Sequence, residues 1–224
     1  MAKDTIYDAA HKGDYDFLTQ KIQGDPDLIE TPDSSKRLLI HWAVLSGNYK
    51  LVHHLIECGS PVNPEDDCSN TPLLLACSAG HLEIVKLLLK KCKDIDHRNA
   101  QGHSGLQYAA SKGWTSICAL LLEEGADVNI ADERGSTPLH RAASKGLAQV
   151  VDLLLGRKGA LRVDSKDLYG NTALHYACEE DRQEVAVALV KNGADMEMKN
   201  KEGRTCLDLC SPRLNRVLIS TISK

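Results

Sequence analysis

The sequence predicts an all-α solenoid built from one repeated helix–turn–helix unit, and three observations carry that expectation. Thr71-Pro72-Leu73-Leu74-Leu75-Ala76, Thr137-Pro138-Leu139-His140-Arg141-Ala142 and Thr172-Ala173-Leu174-His175-Tyr176-Ala177 are copies of one motif. The alanine closing each copy recurs at Ala9, Ala43, Ala76, Ala109, Ala142 and Ala177, with Cys210 in the same slot of a last copy, at intervals of 34, 33, 33, 33, 35 and 33 residues. Glycine follows most first-helix segments, and a leucine- and valine-rich segment follows the glycine. A fixed period of this length marks units that cannot bury their apolar face alone and stack to complete it.

Within a copy each residue type has a local reason. Asp132-Glu133-Arg134-Gly135-Ser136-Thr137 reads as a turn, opened by aspartate and reversed where glycine permits a positive φ. Thr137 is suited to cap a short helix, and Pro138 to its first position, where the missing N–H costs nothing. Leu139, Ala142 and Ala143 form the packing face, Gly146 ends the helix, and a second helix is expected from Leu147 to Leu155. His81 to Leu89 and Asn48 to Ile56 are second helices of the same design. The ends differ from the middle. The first copy lacks Thr-Pro and has a more polar outer helix from Asp14 to Ile22, while the last breaks at Ser211-Pro212 before a closing helix over 213–219. Two extra residues around 156–162 either lengthen a turn or adjust the local twist.

The period near 33 with a Thr-Pro-Leu-His-x-Ala core is the ankyrin-repeat signature. It gives one domain over 1–224 with seven repeats, at about 4–32, 33–65, 66–98, 99–131, 132–166, 167–199 and 200–224, each a helix pair with a β-hairpin or turn finger. Such a stack offers an extended binding face and no catalytic pocket. Aromatic residues make up only 4% of the chain, as expected of a core filled by Leu, Ile, Val and Ala. A net charge of −4 argues against neutralising a nucleic-acid backbone. The opening residues lack a signal-peptide apolar run and no apolar stretch approaches a membrane span, so cytosol is the expected compartment, with the nucleus open to it. A monomer is expected.

Eight cysteines are present without a Cys-x-x-Cys pair. Cys77, Cys118, Cys178 and Cys210 take slots that other copies fill with small apolar residues, so they are expected to be buried hydrophobes. Cys58, Cys68, Cys92 and Cys206 are scattered, and no disulfide framework follows. His140 and His175 sit in the motif position, where an imidazole bonds the neighbouring turn. His53, His54, His97 and His103 lack zinc-site spacing. No phosphate loop, nucleophile elbow or His-Glu-x-x-His occurs. No catalytic residue, metal or cofactor is expected.

A partner is expected on the turn tips and the last residues of the first helices. The candidates are Arg37, Trp42, Asp67, Asn70, Tyr108, Ser111, Lys112, Arg134, Arg141, Lys145, Tyr169, Tyr176, Glu179 and Glu180. Arg37, Lys112, Arg134, Arg141 and Lys145 make the middle basic, and Glu179, Glu180 and Asp181 make the sixth copy acidic. A partner of opposite order is implied, acidic along the middle and basic at the far end. Charge of this kind steers encounter, while aromatic anchors such as Trp42 or Tyr176 supply affinity.

Departures from the repeat consensus narrow the choice. Asn171 to Arg182, with acid-acid-x-Arg in place of x-x-Gly-His, resembles the sixth repeat of the gankyrin family, assembly chaperones of the proteasome's regulatory particle. Ser60-Pro61-Val62-Asn63 with Asp66-Asp67, His41-Trp42-Ala43, Tyr108 to Lys112 and Asn200-Lys201-Glu202 are similar to it as well, so the likeness is expected to run the length of the chain. The resemblance implies that the binding face holds the C-terminal domain of a proteasomal ATPase subunit, with Arg37 and Lys112 pairing its acidic residues. It also implies attention to Leu-x-Cys-x-Glu, the motif that retinoblastoma-type pocket proteins read. Here it is Tyr176-Ala177-Cys178-Glu179-Glu180, with Ala177 and Cys178 expected inside, so pocket-protein binding is not expected. The alternative reading is a general ankyrin adaptor or inhibitor of a kinase or transcription factor, bound through the same face.

Overall fold

The computed structural model describes residues 2–92 and 94–222; the outermost residues of the 1–224 span and position 93 lie outside the described residues. The chain divides into two compact units, residues 1–101 and 102–224. Both are helical, with no strand among the described residues.

The first unit holds three helix pairs: α1 (Ala2–Lys12) with α2 (Tyr15–Gly24), α3 (Leu39–Leu45) with α4 (Tyr49–Glu57), and α5 (Pro72–Ala79) with α6 (Leu82–Leu89). The second holds four: α7 (Gly105–Lys112) with α8 (Thr115–Glu123), α9 (Pro138–Lys145) with α10 (Ala148–Leu155), α11 (Ala173–Glu179) with α12 (Gln183–Lys191), and α13 (Cys206–Leu209) with α14 (Pro212–Ile222). First helices form one layer, α1 on α3 on α5 and α7 on α9 on α11 on α13. In the second unit the second helices form the other layer, α8 on α10 on α12 on α14.

Sequence chemistry accounts for the helix ends. Thr71 caps α5, its Oγ1 accepting from Leu74 N–H at 3.3 Å, and Pro72 follows at the first position. Asn48 caps α4 in the same way through Leu51 N–H at 3.0 Å. The motif alanines Ala43, Ala76, Ala109, Ala142 and Ala177 are fully buried. A small side chain at this slot lets neighbouring first helices approach closely. The second helices bury one face, Leu51, Val52, Leu55 and Ile56 in α4 for example, at the spacing that a helical turn brings together.

Of the two finger forms expected the structure has the turn, and two other expectations are corrected. The fingers close as turns, and neighbours are joined by single backbone bonds such as Asp67 N–H to Ser35 O at 3.0 Å or Leu168 N–H to Arg134 O at 2.9 Å. A single bond does not make a strand ladder. Cys210 is half-buried rather than buried, because α13 ends at Leu209 and Cys210 is already extended. The closing helix runs from Pro212 to Ile222, longer than expected, with Ser211 Oγ accepting from Leu214 N–H at 3.2 Å and Leu214 and Leu218 buried. Cys77, Cys118 and Cys178 are buried as expected, and burial pushes the Cys118 thiol up to about 12. The two extra residues lengthen a turn. Asn129 pins that loop from the preceding repeat, donating to Ala160 O at 2.7 Å and accepting from Arg162 N–H at 2.8 Å.

The fourth finger position has positive φ in every described finger, held by Lys36 (59°) and Ser69 (57°) in the first unit and by glycine in the second. Gly170 shows why glycine is needed there: at φ 76° its added Cβ would lie 2.9 Å from Lys201 N. Gly170→Ala is therefore expected to cost about 2 kcal/mol or more, from left-handed strain plus the backbone clash. Ser69→Gly is expected to stay within ~1 kcal/mol of the parent, since relief of strain offsets the unfolded-state entropy. Urea denaturation checks both; an unaffected Gly170→Ala midpoint would refute this account of the finger packing.

Candidate binding face

The aspartate that opens a finger organises the surface around it. One carboxylate oxygen folds the finger: Asp66 Oδ1 accepts from Cys68 and Asn70 N–H at 2.9 and 2.8 Å, Asp132 Oδ1 from Arg134 and Ser136 N–H, and Asp167 Oδ1 from Tyr169 and Asn171 N–H. The second oxygen takes a side chain. Asp33 Oδ2 accepts from Trp42 Nε1 at 2.9 Å and Asp167 Oδ2 from the Tyr176 hydroxyl at 2.5 Å, while Asp132 Oδ2 accepts from Arg141. In all three the donor lies nine residues on, in the first helix. Asp66 has Leu75 at that distance, and Arg37 Nε of the preceding finger serves it instead at 3.0 Å.

In the first unit, Arg37 bonds Asp66 and lies over the Trp42 ring at 5.0 Å, with the His11 ring edge-on to Trp42 at 5.4 Å. Asn70 Nδ2 also donates to Asp66, and Asp67 is exposed at the finger tip. Burial pushes the Asp66 carboxyl up, but the N–H donors of Asn70, Arg37 and Cys68 outweigh it and hold it below the usual range. Asp66, Asp67 and Cys68 come close enough to share an ion, yet both Asp66 oxygens already accept from nitrogen donors.

In the second unit, Arg141 joins Asp132 to His103, whose Nε2 accepts from Arg141 Nη2 at 3.0 Å, and the His103 ring packs edge-on against Tyr108 at 5.3 Å. A narrow cleft lies among His103, Gln107, Tyr108, Ser111 and Arg141. Ser111 donates to Tyr108 O at 2.9 Å. Lys112, Arg134 and Lys145 are exposed, and the unit's salt bridges run through Arg141, His103, Arg182 and Arg204 rather than through them. Tyr176 is half-buried, its hydroxyl pushed up to about 12 by burial and by Asp167. Tyr169, Glu179 and Glu180 are exposed, Glu180 lying 3.7 Å from Arg182. Asp181 holds the left-handed position usually given to glycine, at φ 52°, and accepts from the Ser211 hydroxyl at 2.7 Å.

Arg37, Trp42, Arg141 and Tyr176 are thus committed to finger carboxylates, whereas Lys112, Arg134, Lys145, Tyr169 and Glu179 present their ends to solvent. The finger-opening aspartates were not among the candidates. Part of the signal was present: Asp33, Asp132 and Asp167 each have a side-chain donor nine residues on, at Trp42, Arg141 and Tyr176. Asn99 and Asn200 open the other two fingers, and each donates its amide to the preceding asparagine, Asn70 and Asn171.

A scan of family models finds ankyrin repeats, described in three copies, matched over 6–99, 40–132, 90–167 and 106–200. The chain belongs to the ankyrin-repeat family. In three dimensions it is similar to the ankyrin repeat domain of human ASB11, with TM-score 0.85 and 25% identity over 96% of both chains. The ankyrin repeat domain of Bcl-3 is similar too, at TM-score 0.81 and 25% identity over 98% of this chain and 97% of that one. The 26S proteasome non-ATPase regulatory subunit 10 of Mus musculus is 39% identical over 67 residues, 30% of this chain and 29% of that protein. The likeness therefore covers about a third of the chain, not the whole length expected. Protein phosphatase 1 regulatory subunit 27 of Mus musculus is 32% identical over 95 residues, 42% of this chain and 62% of that protein. The chain spans less than two thirds of either relative. Ankyrin repeats mediate protein–protein contacts, and the chain is a protein-binding adaptor by family. No helix among the described residues is long and apolar enough to cross a membrane.

The motif histidines bond neighbouring turns as expected. Thr137 N–H donates to His140 Nδ1 at 3.1 Å, which leaves the ring hydrogen on Nε2 to donate to Asn171 O at 3.0 Å. His175 does the same between Thr172 N–H and Arg204 O, and His41 between Leu38 N–H and Pro64 O. Burial lowers all three below the usual value near 6.5. The folded state holds these rings neutral and the unfolded chain protonates them first. Their stabilisation is full above ~6.5 and is lost as pH falls from there through the lowered native values. In the fourth repeat Gln107 fills the slot without titrating, accepting from Ser104 N–H at 3.0 Å and donating to Ser136 O at 2.6 Å. The double variant His140→Gln, His175→Gln is expected to keep its neutral-pH stability to within ~1 kcal/mol and to flatten its decline between pH 7 and 5. Urea midpoints across that range test it, and an unchanged pH slope would count against the assigned ring roles.

Proposed function

We propose that the chain is a non-catalytic chaperone for assembly of the proteasome's regulatory particle, binding the C-terminal domain of one proteasomal ATPase subunit on the face made by its finger tips and first helices. The observation that carries the reading is the residue set left open in the second unit. Lys112, Arg134 and Lys145 are exposed in the fourth and fifth repeats, and Glu179 and Glu180 in the sixth. A partner acidic opposite the former and basic opposite the latter is complementary to this order, and complementarity of this kind fixes orientation and hastens encounter. The partial likeness to the proteasomal subunit supports the choice of partner. The proposal places a monomer in the cytoplasm and nucleus, the compartments that the sequence points to. A second reading, an adaptor or regulatory subunit for another enzyme such as a phosphatase or kinase, is favoured by the longer alignment with the phosphatase regulatory subunit.

Capture with the full chain from a lysate of its source separates the readings: proteasomal ATPase subunits are expected to dominate the eluate, and their absence beside a recovered phosphatase or kinase would favour the second. Arg37→Glu is a poor probe, because it strips the buried Asp66 of its ion-pair partner. Lys112→Glu with Lys145→Glu touches no internal pair and is expected to weaken capture of the ATPase domain by about 1–3 kcal/mol. Titration calorimetry giving the parent affinity for this double variant would remove the proposed face.

A further inference from the structure

By spacing alone, His53 and His54 match no zinc pattern, since neither has a histidine four residues on and no Cys-x-x-Cys occurs. The helix changes that. In α4, Leu51, Val52, Leu55 and Ile56 take the buried face, which leaves His53, His54, Glu57 and the capping Cys58 on the other. These four are ligating side chains in two pairs. Each pair is four residues apart, the spacing that brings side chains together on a helix.

Both pairs meet. Cys58 Sγ lies 3.5 Å from His54 Nε2, and His53 Nδ1 lies 3.2 Å from Glu57 Oε2. Helical backbone persists through the first pair, with Cys58 N–H donating to His54 O at 2.9 Å. The His54 ring is also held from α2, edge-on to Tyr15 at 5.6 Å, while Lys50 Nζ lies 3.8 Å from the centre of the Tyr15 ring.

The separation of nitrogen and sulfur fits a metal. A tetrahedral zinc ion at about 2.0 Å from an imidazole nitrogen and about 2.3 Å from a thiolate holds those two atoms ~3.5 Å apart. His54 and Cys58 stand at that distance beforehand, so little ordering is left for binding to impose. The pair of ligands also selects the ion. Imidazole with thiolate suits zinc and its borderline-soft neighbours, whereas magnesium and calcium take oxygen. Cys58 and Cys68 are the two exposed thiols. Cys68 has Asp66 and Asp67 beside it instead, and both Asp66 oxygens already accept from nitrogen donors.

We propose that His54 Nε2 and Cys58 Sγ form an open surface site for zinc or a like divalent transition ion. Binding breaks the thiol S–H bond, the proton passes to solvent, and the sulfur donates the freed electron pair to the metal. Water fills the remaining positions. The site lies on a second helix rather than on the fingers and first helices, so it goes beyond the partner-binding reading and is tested apart from it.

Cobalt(II) titrated into the full chain, kept reduced by a phosphine, tests the proposal. A thiolate-to-cobalt charge-transfer band is expected in the near ultraviolet, removed by added zinc and left in place by magnesium. Cys58→Ser is expected to abolish the band, and His54→Gln to weaken zinc binding about tenfold or more. Cys68→Ser and the double variant His53→Gln, Glu57→Gln are expected to stay within about threefold of the parent affinity. Circular dichroism checks each fold. Should His54→Gln disturb it, nitrogen NMR of the parent chain takes its place, and the His54 Nε2 signal is expected to move when zinc is added. No band in the parent, a band that survives Cys58→Ser, parent-like zinc affinity in folded His54→Gln, or an unmoved His54 signal would overturn the site.

Discussion

Where an aspartate opens a finger, its carboxylate is the constraint from which the surrounding surface follows. One oxygen gathers two backbone N–H groups and so folds a turn that has no ladder to hold it. The other reaches a side chain on the first helix or on the preceding finger. Asp66 and Asp132 are almost fully buried on the side-chain scale, at 0% and 1% exposure. A buried charge of this kind is tolerable only because both of its oxygens have nitrogen donors. Removing a donor leaves the charge uncompensated, while removing the carboxylate leaves two turn N–H groups without a partner. Turn and helix are therefore tied by a residue that cannot be replaced without cost on both sides, and even asparagine preserves only the turn half of the function.

The second constraint is close approach. Buried alanines at the motif slot let first helices meet, and glycines such as Gly170 let fingers meet backbone to backbone. Each repeat then contacts chiefly its neighbours, so stability is a sum of local terms. The closing repeat shows what happens where the series stops. With Pro212 three residues after Leu209, the first helix shrinks to four residues, and the second lengthens to bury Leu214 and Leu218 against α12. Its capping pattern survives in altered form, with Asp208 taking the imidazole's place and accepting from Thr205 N–H at 2.8 Å.

Much of this was legible in the residues. Period, caps, helix pairs and the roles of His140 and His175 follow from spacing and local chemistry, because they depend on neighbours three or four positions away or one repeat away. The finger geometry was less legible. Hairpin and turn were both open from the residues; hairpin ladders need consecutive paired residues, and here the opening side chain closes a turn instead. Cys210 illustrates another limit: its slot is buried in other repeats, yet the break at Ser211-Pro212 moves it past the helix end. The binding candidates were legible as surface positions but not as free or committed groups. Whether Arg141 faces a partner or Asp132 depends on a carboxylate nine residues away whose second oxygen could have bonded water instead.

That distinction changes the electrostatics of the face. Counted from sequence, Arg37, Arg141 and three further cations make the middle of the chain basic. Arg37 and Arg141 each bond a buried carboxylate, so their charges are spent within the structure and project little potential outward. Lys112, Arg134 and Lys145 carry what remains, all in the second unit, where Glu179 and Asp181 supply the opposite sign. Exposed charges act over about a Debye length, ~8–10 Å at physiological salt. They therefore act locally, repeat by repeat, rather than as one field across the chain. A partner read by such a surface is selected by the order of its own charges along the contact more than by its net charge.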